Sequence, residues 1–85
     1  MNYHGLTRAE RRDRIEKDGS KCKVCGSTEW LTIDHDHKTE HIRGVLCRRC
    51  NMGLGYFKDD LTLLQNARHY LMTAIAEYEM RKLNE

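Results

Sequence analysis

Cys22-Lys23-Val24-Cys25 and Cys47-Arg48-Arg49-Cys50-Asn51, with Ile33-Asp34-His35-Asp36-His37 between them, are the residues on which the fold of this 85-residue chain turns. Each Cys-x-x-Cys turn presents a pair of sulfurs to one ion, and two such turns complete the tetrahedral shell of a structural zinc. Cys22, Cys25, Cys47 and Cys50 are therefore read as zinc ligands that staple remote loops together. The 21 residues between Cys25 and Cys47 slightly exceed the roughly 15 to 20 of a plain zinc ribbon, so the stapled loop carries an insert.

The insert has the composition of a hairpin. Trp30-Leu31-Thr32-Ile33 is strand-like, Glu40 to Leu46 offers a second strand, and the polar run between them is the connection. Asp34, His35, Asp36 and His37 lie at its mouth. A carboxylate is a hard oxygen ligand for a magnesium-like ion, and imidazole takes protons near neutral pH. Asn51 follows the last cysteine, where the chain enters a helix over 51–56. An ion held by Asp34 and Asn51 with His35 beside it makes a hydrolytic site for phosphodiesters. Because strand alternation sends neighbouring side chains to opposite faces, regular pairing is predicted to stop at Ile33 or Asp34. Other residues keep two readings. Asp36 orients a histidine or faces solvent, His41 approaches phosphate or sits at an exposed strand position, and Asn51 doubles as a favoured helix N-cap.

Taken together, Leu31-Thr32-Ile33-Asp34-His35-Asp36-His37, Arg43-Gly44-Val45-Leu46-Cys47-Arg48-Arg49-Cys50-Asn51 and Gly53-Leu54-Gly55-Tyr56-Phe57-Lys58-Asp59-Asp60 resemble the phage recombination endonuclease VII family of His-Asn-His nucleases. The resemblance covers roughly Cys22 to Leu71. It implies a small α+β, zinc-stabilised domain with a ββα-metal (His-Me finger) core. It also implies zinc at the four cysteines, catalytic Mg2+ or Mn2+ at Asp34 and Asn51, and His35 as general base. His37 would orient the phosphate or stabilise the transition state. Some members carry a glutamate three residues after the asparagine. This chain has Leu54 there, so that role is absent or falls to Asp59 or Asp60.

At this length one domain is expected over 1–85, with an N-terminal helical segment (1–19), a zinc-stapled core (20–58) and a C-terminal helix (60–83). Such a chain hides only about 60 to 65% of its unfolded surface, so zinc has to supply stability. The net charge of +2 is weak support for a nucleic-acid partner. Four thiolates around one zinc bring it to about zero, so the placement of charge matters more than its total. Arg43, Arg48 and Arg49 surround the second knuckle as candidate DNA contacts, and Lys21 and Lys23 flank the first. Arg8, Arg11, Arg12, Arg14 and Lys17 crowd the first helix, where interleaved acids also fit a solvated face. The absence of an apolar leader or membrane span and the presence of paired cysteines point to a reducing cytoplasm, that of a host cell for a phage-encoded protein.

Thr7-x-x-Glu10 reads as a capping box and Gly19 as a stop, giving a helix over 8–18; His4 precedes the cap and is assigned no role. Gly26 is placed where a positive φ is needed. Trp30 is read as a core anchor beneath the hairpin, with a base-stacking platform as the alternative. Tyr56 and Phe57 are assigned to the core. Asp60 caps a helix over 61–82 whose apolar residues exceed one stripe, so either a homodimer or the N-terminal helix is expected to cover it. His69 and Arg68 fall on its surface. The reading is a metal-dependent DNA endonuclease that nicks or cuts with weak sequence preference. The alternatives are a homodimeric resolvase of branched DNA, a non-catalytic zinc module that binds DNA, and an adaptor recruited through its last helix.

Overall fold

In the computed structural model, which describes residues 5–85, the elements run α1 (Arg8–Lys17), β1 (Leu31–His35), β2 (Ile42–Cys47), α2 (Arg48–Tyr56) and α3 (Leu61–Leu83). His4 lies outside the described residues. The chain divides into two compact units, one ending at Leu54 and the other starting at Gly55.

α1 begins at the predicted capping box. Thr7 Oγ1 accepts the Glu10 N–H at 3.1 Å, and Glu10 Oε1 accepts the Thr7 N–H at 3.0 Å. That second bond holds the Glu10 carboxyl below its usual range. The helix stops at Lys17, one residue early, because Asp18 becomes the C-cap and Gly19 turns the chain at φ 86°. α1 packs against β1 and buries no residue completely.

β1 and β2 form a two-stranded antiparallel sheet pairing Leu31 with Cys47, Ile33 with Val45 and Asp34 with Gly44. The register then shifts, and His35 pairs with Ile42, leaving Arg43 as the extra residue of a bulge. Regular pairing therefore stops at Asp34, as predicted, and the irregularity is a bulge beyond which the strand continues to His35. β2 starts at Ile42 rather than Glu40, because Glu40 takes a left-handed turn conformation at φ 62°. Asp36 builds that turn: its Oδ1 accepts the Lys38 and Thr39 N–H groups at 2.8 and 2.9 Å. The Thr39 donor foremost, then that of Lys38, holds its carboxyl below the ordinary range. Asp36 thus builds the loop.

The core is small: Cys22, Ile33, Val45, Leu46 and Cys47 are the buried apolar residues among those described. Four consecutive buried residues, Gly44 to Cys47, mean that both faces of β2 are covered. Leu31, Cys50 and Leu54 pack around Cys22, Leu46 and Cys47, so the knuckles are part of the core itself.

In the second unit Asp60 caps α3 by accepting the Leu63 N–H at 3.0 Å, as the sequence predicts. α3 buries none of its residues completely; Tyr70, Leu71, Ile75 and Tyr78 stand exposed among its polar groups, as do Arg68 and His69. Tyr56 and Phe57 are also exposed, contrary to their assignment to the core. Among the described residues no helix is long and apolar enough to cross a membrane.

Candidate functional site

The cysteines converge. Cys22 and Cys47 are buried, Cys50 is half-buried, Cys25 is exposed, and all are free thiols. Tetrahedral zinc with bonds of about 2.3 Å holds its sulfurs about 3.8 Å apart. Here the Sγ atoms all lie within 4.8 Å of one another, and those of Cys25 and Cys47 are 3.6 Å apart. The cluster can hold a metal ion such as zinc.

Backbone geometry prepares these sulfurs for charge. Cys22 Sγ accepts the Val24 and Cys25 N–H groups at 3.4 and 3.5 Å, and Cys47 Sγ accepts that of Cys50 at 3.4 Å, where α2 begins. Burial pushes the Cys22 thiol up, but the N–H donors of Cys25, Cys47 and Val24 together outweigh it and bring it down to about 6. The Ser27 N–H lowers Cys25. Cys50 goes the other way, to about 12, through burial first and then through the thiols of Cys47, Cys25 and Cys22. So close a set of sulfurs cannot all ionise without a cation among them. Gly26, at φ 80°, turns the chain out of the first knuckle as predicted.

A second centre lies nearer the hairpin turn. Asp34 is only 6% exposed, and its carboxylate is gripped from both sides by Arg43. Arg43 Nε donates to Oδ2 at 2.7 Å and Nη2 to Oδ1 at 3.0 Å, a bidentate pair that the bulge makes geometrically available. Arg43, expected to face flanking phosphates, is therefore committed to Asp34 in this structure. His35 follows directly at the change of register, and its ring meets that of His37 edge-on, with centroids 4.9 Å apart and planes at 63°. His41 is exposed and precedes β2; its carbonyl accepts the Asp36 N–H at 2.8 Å, closing the hairpin loop.

Asn51 is not an N-cap. α2 starts at Arg48, with the Cys47 sulfur accepting the Cys50 N–H, so Asn51 lies within the helix and its amide is left for other work. It lines an open cavity of about 300 Å³ with Arg48 of α2 and with Trp30, Leu31 and Thr32 at the start of β1. Arg48 and Arg49 are both exposed. Trp30, read as a core anchor, is instead 75% exposed and sits in the left-handed region at φ 56°. Its placement follows from the turn into β1, which residue type alone does not reveal.

Two curated relatives are similar in sequence. The Gene 59 protein of Mycobacterium phage D29 is 40% identical over 73 residues, covering 80% of this chain and 44% of that protein. The Gene 59 protein of Mycobacterium phage L5 is 36% identical over 74 residues, covering 81% of this chain and 45% of that one. The chain thus spans less than half the length of these relatives. No solved structure matches it significantly. Residues 1–73 match the family described as recombination endonuclease VII, and the chain belongs to that family.

Proposed function

We propose that this protein is a metal-dependent DNA endonuclease with a structural zinc and a one-cation active site of the His-Asn-His, ββα-metal type. The observation that carries this reading is the buried Asp34 carboxylate at a strand bulge, with His35 next to it in the chain. A buried carboxylate needs a compensating charge, and the Arg43 guanidinium supplies one here. The carboxylate of Asp34 and the amide oxygen of Asn51 are the hard donors that would hold Mg2+ or Mn2+. A bound divalent cation supplies Lewis-acid polarisation of the phosphate and charge stabilisation at the leaving 3′ oxygen. His35 takes the proton from the attacking water, and His37 orients the phosphate. Exposed Arg48 and Arg49 neutralise neighbouring phosphates. The products carry 5′ phosphate and 3′ hydroxyl ends, and the reaction takes place in the phage's host cell.

The test is nicking of supercoiled plasmid by zinc-loaded protein with Mg2+ or Mn2+. His35→Ala should slow cleavage by about 100-fold or more with zinc content and thermal transition unchanged. Full activity in that variant removes the base assignment, and wild-type protein that binds plasmid without nicking it is a zinc-stabilised binding module. The exposed apolar residues of α3 favour a second form of the reading, a homodimer that cuts both strands of branched DNA. Solution mass and the products from a four-way junction decide that form.

A further inference from the structure

Trp30 is the chain's only tryptophan, and the fold leaves it in water. A tryptophan that can bury about 150 to 250 Å² of surface is usually placed where it does so. Here 75% of the residue is exposed, although the neighbouring Leu31 packs against the core. Its backbone, by contrast, is tied on both sides. The Trp30 carbonyl accepts the Arg48 N–H at 2.8 Å, and Leu31 is paired with Cys47 in the sheet. These ties hold Trp30 at φ 56°, a region bulky side chains avoid. Strain that persists because surrounding structure imposes it is characteristic of residues used for binding.

What surrounds the indole defines the ligand. The cavity of about 300 Å³ is lined by Trp30, Leu31, Thr32, Arg48 and Asn51. Among the described residues none of those lining it is acidic. An exposed tryptophan beside an asparagine, with an arginine in the same lining, matches a nucleobase whose phosphate is bound next to it. We propose that Trp30 is a stacking platform for an unstacked base of the DNA strand. This rests on the nuclease reading for its ligand class, because Asn51 belongs both to this cavity and to the proposed cation site. The platform bears on how DNA is held and not on how it is cut.

Because Trp30 is the single tryptophan, its own fluorescence reports the event. Zinc-loaded protein without added Mg2+ or Mn2+ is titrated with a short single-stranded oligonucleotide and with the intact duplex of the same sequence, while anisotropy of a label on the DNA measures binding independently. The expected result is saturable quenching by the single strand at the concentrations where anisotropy rises, with weaker binding of the duplex. Trp30→Ala should lose roughly 5- to 150-fold in affinity for the single strand, and Trp30→Phe, which keeps a stacking face, only a few-fold. Binding without quenching, or an unchanged affinity in Trp30→Ala, overturns the platform and leaves the nuclease reading standing. Quenching in a protein that never nicks plasmid does the reverse.

Discussion

The cysteine cluster and the Asp34 centre sit at opposite ends of the same hairpin, about 10 Å apart along β2 at roughly 3.3 Å per residue. They satisfy the same kind of demand in opposite ways. At the cluster, sulfurs within 4.8 Å of one another have no countercharge of their own, and Cys50 is pushed up to about 12 while Cys22 falls to about 6. Near the turn, Asp34 already has a cation in the Arg43 guanidinium. An ion entering the cluster completes the core, whereas one entering at Asp34 competes with a resident charge. On the proposed reading the first site is a requirement of folding, and the second an exchange that folding leaves open.

Removing zinc should have the largest effect. Structural zinc in small modules supplies on the order of 10 kcal/mol, comparable to the whole stability of a domain this size. The buried apolar residues among those described are few, and two of them, Cys22 and Cys47, belong to the cysteine cluster. A strong chelator should abolish the cooperative thermal transition and the circular-dichroism signal of the hairpin and helices, and added zinc should restore them. Acid should act in the same direction, since protons compete with the ion for the thiolates. A chelated protein that melts as before would erase the distinction between the two centres.

Arg43→Met should come next. It keeps an apolar stem and leaves Asp34 buried without a partner, a loss of roughly 3 to 5 kcal/mol for a fully buried pair. The Arg43 side chain is 32% exposed, so water screening brings the expected cost to the low end of that range. The comparison is sharpened by adding Mn2+ to the zinc-loaded variant. The melting temperature should recover in part and by more than in wild type, because Asp34 no longer has to exchange one cation for another. A variant as stable as wild type, with no response to Mn2+, would show that the pair is incidental to the site.

The two centres also differed in how far they could be read in advance. Cysteine spacing is a local code, because each knuckle carries its own turn and the metal requirement joins them. The caps at Thr7 and Asp60 are equally local, since each oxygen meets an N–H three residues on. Arg43 and Asp34 are nine positions apart and meet only because the ladder slips by one residue. The adjacent Asp34 and His35 announce a break in regular pairing, but not that Arg43 is the residue the slip brings to Asp34. Asn51 was ambiguous for a related reason: an asparagine after a cysteine looks like a cap until the Cys47 sulfur is seen accepting the first-turn N–H. Asp36 beside two histidines suggests chemistry, yet its carboxylate is used by Lys38 and Thr39 to close the loop. Trp30 was misplaced because hydrophobicity argues for burial, whereas its direction is set by a left-handed turn imposed from Arg48 and the sheet.

Thr7→Ala gives the smallest expected effect and serves as the control for both centres. Its hydroxyl accepts the Glu10 N–H and holds one half of the capping box, so its loss should cost α1 about 1 kcal/mol. In a domain of this size that lowers the melting temperature by roughly 4 to 8 °C. α1 packs on β1 but contributes no ligand to the cysteine cluster. The variant should therefore bind zinc as tightly as wild type, and the Mn2+ response at Asp34 should not change. If calorimetry showed weaker zinc binding in Thr7→Ala, the helix would be helping to hold the knuckles in place. The cluster would then depend on packing from outside its own turns, which its spacing and its N–H to sulfur bonds argue against.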